Sequence, residues 1–375
     1  MKRIILMSLL AVSLLFGCGA KKQKTAKPES KTEMTIEKNQ VTLAAVGDNL
    51  VHRNVYQNAY NASTQTYDFQ SVYASVKDRI SKYDIAVVNQ ESIFVKDQSR
   101  ISGYPDFGTP EAMGDALADA GFDIVLSANN HTWDKGEYGV RSTLNYWKQK
   151  HPDIKLLGIH GSREEAKKID IIEKNNIKLA MFNYTFGVNI AHKIPAGSAY
   201  MVDTLDQKTR FINDIKTAER EADATVCFVH IGTEYAQKPN NYQKTYIRDL
   251  IDAGADVVIC AHPHVVQPYE KVTTSNGKSG IVFYSCGNFM SGQDKIPTVL
   301  GGMATVTFKK ESGQTKVCDY QFIPVVTHTT KTDTTVYFLE EYSDDLSGLH
   351  ELKQQYPEFS ATNLRLLWNK VIKSE

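Results

Sequence analysis

Side chains that can bind metal ions occur in this sequence where apolar, strand-like runs end. They are carboxylates, amides and imidazoles that follow five separate runs. The set comprises Asp48, Glu91, Asn130, His131, His230, His262 and His264. In α/β proteins, ligands bind at the carboxyl ends of the strands. Because Asp and Glu can bridge two divalent ions while His and Asn complete each shell, the pattern predicts a two-metal site. It leaves the identity of the ions open, with manganese, zinc and iron as candidates.

Each of these residues taken alone has an ordinary structural explanation. An Asp or Glu at a strand end commonly caps a helix or forms a turn, and a single His there is commonly a structural group. The recurrence at five strand ends favours the metal site. In the loop His262-Pro263-His264, proline also restricts the backbone that presents two imidazoles.

The elements that position these residues alternate in type. From Val41 onward, short apolar runs typical of strands alternate with stretches of helical spacing, which predicts an α/β fold. We expect one domain over residues 41–328 and a short helical segment over 329–375. Particular predictions are a helix over 69–80, a helix capped by Thr109 with Pro110 in its first turn, a hairpin of 169–173 with 177–184, and a strand over 265–272.

The composition is that of a folded globular protein. The chain has 375 residues, 43 basic and 43 acidic, and is 42% hydrophobic. This neutral balance argues against nucleic acid as a partner. The first 40 residues hold eight of the basic and three of the acidic residues, so the remainder has a net charge of −5. Such a body repels an anionic polymer unless metal ions or local basic residues offset the repulsion.

The N-terminal residues have the pattern of a lipoprotein leader. Lys2 and Arg3 precede 13 uncharged residues, 4–16, too few to span a bilayer core of ~30 Å. Residues 15–18, Leu-Phe-Gly-Cys, resemble a bacterial lipobox. We predict a signal peptide over 1–17, a lipid anchor on Cys18, a flexible tether over 18–40, and a position on a membrane surface. An ordinary secretion signal cut nearby is the alternative.

Four further cysteines lie in apolar, strand-like runs without the spacing of a zinc site. They are Cys227, Cys260, Cys286 and Cys318. We predict buried free thiols, and disulfide pairing is the alternative in an exported protein.

Six motifs occur in the order of the CapA family. These are poly-γ-glutamate capsule biosynthesis proteins, whose fold is similar to calcineurin-like metallophosphoesterases. The motifs are Gly47-Asp48, Asn89-Gln-Glu91, Ala128-Asn-Asn-His131, His230-Ile-Gly-Thr-Glu234, Ala261-His-Pro-His-Val265 and Tyr284-Ser-Cys-Gly-Asn-Phe289. The resemblance covers about residues 41–328. It implies a layered β-sandwich flanked by helices, with hydrolase-like or phosphoesterase-like chemistry.

The resemblance also implies individual roles. It makes His131 the acid near the leaving group, and it makes metal ligands of Asp48, Glu91, Asn130, His230, His262 and His264. The chain departs from the metallophosphoesterase motif at Leu50, where that motif has His, and at Glu91, where it has Asp. His52 is a candidate substitute for the absent histidine.

Three more polar residues near these motifs have two interpretations each. Asp134 is either a helix N-cap or a residue that orients His131. Glu234 is either a solvated carboxylate or a contact to a ligand or the substrate. Asn288 either faces the site or only forms its Gly-Asn-Phe turn.

In function, the resemblance implies a role in making, exporting or anchoring poly-γ-glutamate. It implies membrane-embedded synthase subunits as partners, and an anionic polymer or a phosphate ester as substrate. Two alternatives come from other classes: an envelope metallophosphoesterase unrelated to capsule, and a non-catalytic scaffold of a membrane polymer synthase.

The lipid anchor can be tested directly at Cys18. Cys18→Ser removes the predicted lipid acceptor, so the protein should move from the membrane fraction to the soluble or secreted fraction. Fractionation followed by immunoblotting measures this shift. Unchanged membrane partitioning would contradict the lipoprotein interpretation.

Overall fold

The computed structural model describes residues 39–372. The strands, in chain order, are β1 (Gln40–Leu50), β2 (Tyr60–Asn61), β3 (Thr66–Tyr67), β4 (Ile85–Gln90), β5 (Phe94–Val95), β6 (Thr109–Pro110), β7 (Ile124–Leu126), β8 (Lys155–Leu157), β9 (Asp170–Lys174), β10 (Ile177–Thr185), β11 (Ala224–His230), β12 (Val257–Ala261), β13 (Tyr269–Thr273), β14 (Ser279–Phe283), β15 (Asn288–Ser291), β16 (Leu300–Glu311), β17 (Gln314–Thr329) and β18 (Thr334–Phe338). The α-helices are α1 (Arg53–Asn58), α2 (Lys77–Ile80), α3 (Ala112–Asp119), α4 (Gly136–Lys150), α5 (Lys208–Glu221), α6 (Asn241–Ala253), α7 (Asp344–Gly348), α8 (Leu352–Gln355) and α9 (Ala361–Ile372). The predicted signal peptide and Cys18 lie outside the described residues, as does the predicted tether up to residue 38.

Most of these strands belong to two mixed sheets. The first has the order β18-β17-β16-β1-β4-β7-β8, with β15 also paired to β1, and its strands β1, β4, β7 and β8 are parallel. The second has the order β13-β14-β12-β11-β10-β9, with β10, β11, β12 and β14 parallel. Because parallel neighbours end at the same edge, each sheet presents several carboxyl ends together.

The two sheets share one core, and helices cover their other faces. Leu43 of β1 belongs to a buried cluster with Val226 of β11, whereas the next residue, Ala44, belongs to a cluster with Trp147 of α4. On the second sheet, Val229 of β11 packs with residues of α5 and α6. Successive strand residues point to opposite faces, which produces these two environments. The predicted α/β fold, a layered β-sandwich flanked by helices, is confirmed.

The predicted hairpin is present as β9 and β10, paired antiparallel. Its turn residues Asn175 and Asn176 have φ values of +50° and +62°. Asparagine adopts this left-handed region more readily than most residues do, so the two asparagines suit the turn.

Three element predictions were wrong in detail. Thr109 does not cap a helix, because its hydroxyl donates to Ser92 Oγ (2.7 Å) and its N–H donates to Ile93 O (2.8 Å); with Pro110 it forms β6, and α3 begins at Ala112. The predicted helix over 69–80 is a 3-10 turn followed by the short helix α2. The predicted strand over 265–272 begins only at residue 269.

The cysteine prediction is confirmed for three of the four thiols. Cys227, Cys260 and Cys286 are free and buried, whereas Cys318 is free but exposed. Cys318 lies in β17 where exposed and half-buried residues alternate, so its side chain faces solvent.

Residues beyond 328 contribute both sheet and helix. Strand β18 pairs with β17, and Phe359 and Leu364 join the core shared by the two sheets. Whether residues 329–375 form a separate segment in the sense predicted stays a prediction. Within the described part of the chain, no helix is both long enough and apolar enough to cross a membrane.

His350 connects this C-terminal region to the first sheet. Its Nδ1 accepts the N–H of Leu352 (3.0 Å), and its Nε2 donates to Thr327 O (3.2 Å), while its ring packs on Phe359. Burial, with a smaller contribution from His328, lowers the pKa of His350 to about 4. The folded protein therefore holds this imidazole neutral.

Acid should destabilise the fold through His350. Between an unfolded-state pKa of ~6.5 and about 4, the unfolded chain binds a proton that the folded protein excludes, so the free energy of unfolding falls with pH, by about 2 kcal/mol at pH 5. His350→Gln cannot titrate, so its deficit in stability relative to wild type should shrink as pH falls from about 8 to about 5. Urea unfolding of both proteins measures the two curves, and parallel curves would contradict this role.

Candidate metal centre

Strand ends from both sheets meet at one buried place. Asp48 lies within the end of β1 and Glu91 follows β4, and both residues are fully buried. The second sheet contributes His230 at the end of β11, and His262 and His264 in the loop 262–264 after β12. These three histidines are only 2–5% exposed. Asn130, in the loop after β7, completes the group. The structure thus brings the six predicted ligands together.

Close backbone packing holds Asp48 in this position. A Cβ atom at residue 47 would lie 1.8 Å from the carbonyl oxygen of Gly287, so only glycine fits there. The Asp48 N–H donates to the same carbonyl (2.9 Å). Asp48 Oδ2 accepts the backbone N–H of His262 (3.2 Å). A residue of the first sheet is therefore bonded directly to the site loop of the second.

The loop 262–264 has a strained backbone. His262 and His264 have φ values of +104° and +58°, on either side of Pro263. Left-handed backbone in a residue other than glycine costs about 1–3 kcal/mol and persists where the surroundings impose it. Here the N–H of Tyr235 donates to Pro263 O (2.7 Å) and fixes the loop from outside. Strain of this kind concentrates at functional sites.

The Glu91 carboxylate is buried without a hydrogen bond. Neither of its oxygens has a hydrogen-bond partner among the described residues. Oε1 lies 3.4 Å from His230 Nε2, and Oε2 lies 3.7 Å from His264 Nδ1. Burial and the adjacent charge of Asp48 raise the pKa of Glu91 to about 8. Burial also raises the pKa of Asp48, but the hydrogen bond from His264 and the electrostatic interactions with His230 and His264 outweigh it and lower that pKa overall.

The three histidines differ in protonation. Burial lowers the pKa of His230 to about 3 and the pKa of His262 well below its ordinary value. Burial acts in the same direction on His264, but the charges of Glu91 and Asp48 and the Asp48 hydrogen bond outweigh it and raise the pKa to about 10. His230 and His262 are therefore neutral near pH 7, the form that binds metal.

The donor set fits divalent cations. The buried oxygens of Glu91 and the Nδ1 of His262 lack hydrogen-bond partners within residues 39–372, and a cation would satisfy them. One ligand atom each from Glu91, His262 and His264 lies within 4.8 Å of the others. Carboxylate oxygen, imidazole nitrogen and amide oxygen together suit first-row transition metals.

His131 lies beside this group, held by Asp134. His131 Nδ1 donates to Asp134 Oδ2 (2.7 Å), which also accepts the N–H of Phe107 (2.8 Å). The Phe107 ring meets the His131 ring edge to face, with 4.7 Å between centroids. The N-cap of α4 is Lys135, so the helix-cap interpretation of Asp134 was wrong. Asp134 orients His131 and leaves its Nε2 for the site.

An asparagine network connects His131 to the ligands. Asn130 Oδ1 accepts from His230 Nε2 (2.7 Å), and Asn130 Nδ2 donates to Asn189 Oδ1 (3.0 Å). Asn189 Nδ2 lies 3.1 Å from His131 Nδ1. A single side chain thus contacts both the predicted ligand and the predicted acid.

Sequence analysis did not single out two residues of this network. Asn89 donates to Asp48 Oδ1 (2.7 Å) and lies 3.3 Å from His230 Nδ1. It lies at a strand end, so the pattern that identified the ligands also covered it. Asn189 lies in the loop after β10, four residues past the strand, where no sequence signal marked it.

The remaining predicted residues lie at different distances from the centre. Asn288 Oδ1 accepts from His264 Nδ1 (3.0 Å), so Asn288 faces the site. His52 instead contacts Leu50 O, and among the described residues it forms no hydrogen bond or ion pair with Asp48 or Glu91. Glu234 is exposed, and its negative charge acts on the site from a distance, as one of the causes that raise the pKa of His264.

The family of the chain follows from comparison with known sequences. The family described as bacterial capsule synthesis protein PGA_cap matches residues 42–293, a stretch that includes all six predicted ligands. The chain belongs to this family. The PGA_cap match confirms the kinship to CapA that the six motifs predict.

Two Bacillus relatives show how far the similarity extends. The capsule biosynthesis protein CapA of Bacillus anthracis is 28% identical over 296 residues, which cover 77% of this PGA_cap chain and 68% of that protein. The PGA biosynthesis protein CapA of Bacillus subtilis (strain 168) is 34% identical over 179 residues, 47% of this chain and 44% of that protein. The similarity to the second relative thus spans less than half of either protein.

Solved structures with weak sequence identity include phosphoesterases. A putative 5′-nucleotidase from Staphylococcus aureus is 13% identical with a TM-score of 0.46, covering 77% of this chain and 55% of its own. The calcineurin-like phosphoesterase YfkN from Bacillus subtilis is 14% identical with a TM-score of 0.40, covering 87% of this chain and 99% of its own.

The buried Glu91 carboxylate, which accepts no hydrogen bond from the described residues, leads to a prediction for the Glu91→Gln variant in metal-free protein. Because the pKa of Glu91 is raised from 4.5 to about 8, the folded protein retains a proton that the unfolded chain releases, and stability falls as pH rises through this window. The amide cannot ionise, so the variant should become progressively more stable than wild type across the same window. Added Mn²⁺ should reverse the order by stabilising wild type more.

Thermal unfolding in chelator and in Mn²⁺, at several pH values, measures both effects. The matched control is Glu358→Gln, which changes an exposed carboxylate of the same type in the C-terminal region and should follow wild type throughout. A constant difference between wild type and Glu91→Gln at all pH values would show that Glu91 does not titrate as described.

Proposed function

We propose that this protein acts in making, exporting or anchoring poly-γ-glutamate at the outer face of the bacterial cytoplasmic membrane, through a two-metal site with hydrolase-like chemistry. Membership of the PGA_cap family and the names of the two CapA relatives support the capsule role. The observation that carries the chemistry is the fully buried Glu91 carboxylate, which has no hydrogen-bond partner within residues 39–372 and faces two histidines from the other sheet.

Six residues would hold the ions. Glu91 is suited to bridge, since its two oxygens lie against different histidines, His230 and His264. Separations of 3.4 and 3.7 Å are close to those that two ligands of one ion keep when each bond is about 2.0–2.2 Å long. The remaining ligands would be Asp48, Asn130 and His262. When bound, divalent ions supply Lewis acidity toward a phosphoryl or carbonyl oxygen and toward water.

The chain's own residues supply the proton chemistry. The Nδ1 of His131 is engaged with Asp134 Oδ2, so a proton delivered to a leaving group comes from Nε2. Phe107 packs against the imidazole and restricts its orientation. Asn189 hydrogen-bonds to Asn130 and lies beside His131, so its side chain contacts both the proposed ligand and the proposed acid.

Charge supports the same assignment. The chain beyond residue 40 carries a net charge of −5, which opposes the approach of a polyanion such as poly-γ-glutamate or a phosphate ester. Divalent ions would add positive charge at the centre, so binding of an anionic substrate at this place would depend on them.

Membrane attachment completes the proposal. The lipobox-like residues 15–18 support lipidation of Cys18, which would place the site beside membrane-embedded synthase subunits as partners. The tether of about 22 residues would let the domain reach them without a spanning helix.

Paired variants separate metal binding from proton transfer. Glu91→Ala should lower the metal content sharply, because it removes the bridging carboxylate, whereas His131→Ala should keep the metal and lose activity by about 100-fold or more. Elemental analysis gives the metal content, and turnover of a panel of phosphoester and γ-glutamyl substrates gives the activity. His151→Ala, at a histidine that instead pairs with Asp115, is the control and should keep both.

Complementation of a capsule-deficient strain then tests the biological role. Wild type should restore polymer at the cell surface, and both site variants should fail. Restoration by Glu91→Ala would contradict the metal-dependent role and leave a scaffold function. Metal-dependent turnover without any effect on the polymer would indicate a phosphoesterase unrelated to capsule.

A further inference from the structure

A second group of metal-capable side chains lies beside His131, separate from the ligands around Glu91. It consists of Asp106, Asp134 and His192, and one ligand atom from each lies within 4.8 Å of the others. We propose that this Asp134 cluster binds one further divalent cation, Zn²⁺ or Mn²⁺, that positions His131. The inference concerns a different site from the one around Glu91 and needs no ion there.

The first supporting observation is an unpartnered oxygen. The Asp134 side chain is 0% exposed, and while its Oδ2 accepts two hydrogen bonds, its Oδ1 has no hydrogen-bond partner among the described residues. Burying such an oxygen without a donor or cation is costly. His192 Nε2 is 3.9 Å away, beyond hydrogen-bond distance. The Lys135 ammonium donates to the Asp106 carbonyl oxygen instead (3.1 Å).

The second observation is a convergence of ligand types on that oxygen. His192 Nε2 lies 2.5 Å from Asp106 Oδ1, so an imidazole and a second carboxylate already meet next to Asp134. Two carboxylate oxygens and one imidazole nitrogen form a common three-ligand set for zinc and manganese, with open positions for water. The side chains of His192 and Asp106 are 24% and 48% exposed, so an ion can enter from solvent.

A cation here would act on His131 through one carboxylate. Asp134 would contact the ion through Oδ1 while its Oδ2 keeps the hydrogen bond to His131 Nδ1. Asp106 directly precedes Phe107, whose ring packs on His131. The same ion would therefore connect this segment to the loop of His192. That loop also carries Asn189, which contacts His131. Asp106 and His192 are thus positioning residues for the predicted acid.

The first experiment counts ions in a background that lacks the main centre. Glu91→Ala/His264→Ala, dialysed against Mn²⁺ or Zn²⁺ and analysed for metal, should retain one ion per chain. Adding Asp106→Asn or His192→Gln should remove it, with circular dichroism confirming that each variant is folded. Retention of no ion in the background, or of an ion despite Asp106→Asn, would overturn the proposal.

A spectroscopic test asks whether residue 192 is itself a ligand. In the same background loaded with Co²⁺, His192→Cys should show a thiolate-to-cobalt charge-transfer band, and His192→Ser should not. Asp106→Asn should weaken the band by reducing occupancy. A spectrum of His192→Cys identical to that of His192→Ser would overturn the assignment. Failure of the main centre would lower the metal count of wild type but would leave both tests unchanged, so the two proposals can fail separately.

Discussion

Two carboxylates buried side by side, Asp48 and Glu91, impose the main constraint on this structure. Each loses hydration on burial, and each repels the charge of the other. Asp48 is stabilised by hydrogen bonds from Asn89 and the His262 backbone and by contact with His264. Glu91 has histidines at 3.4 Å or more and accepts no hydrogen bond from the part of the chain that the structure describes. The protein maintains this arrangement through close contact of Gly47 with Gly287 and through strained backbone at residues 262 and 264. These costs fall at one place, where the proposed cation would offset them.

The positions of the candidate ligands could be predicted from sequence because each lies at the end of an apolar run or within a few residues of it. Parallel strands bring such positions to one edge, so a one-dimensional pattern carried three-dimensional information. The layered fold followed from the alternation of elements and from family resemblance. Glu91 and His264, 173 positions apart in sequence, are 3.7 Å apart in the structure for this reason.

The supporting residues could not be predicted in the same way. Asn189 and His192 lie in one loop, and the course of that loop brings them close to His131 and Asp134. Asp134 also accepts a hydrogen bond from the backbone N–H of Phe107, which lies in another loop. No local spacing encodes those approaches. Thr109-Pro110 failed for a related reason: a Thr-Pro pair satisfies the local rule for a helix start, yet the Thr109 hydroxyl bonds to Ser92 across the structure. Local rules give way where a distant partner offers a better hydrogen bond.

The division of the candidate ligands between the two sheets bears on when the protein could acquire the proposed metal. Asp48, Glu91 and Asn130 come from the first half of the chain, while His230, His262 and His264 come from the second. No nascent fragment therefore holds the complete proposed site, and an ion could be bound there only after both halves have folded. If the chain is exported unfolded, as the proposed lipid anchor requires, the ion would be taken from the supply outside the cell. For ligands of this mixed type, whose selectivity depends on availability as much as on affinity, the compartment of folding becomes a determinant of metal identity.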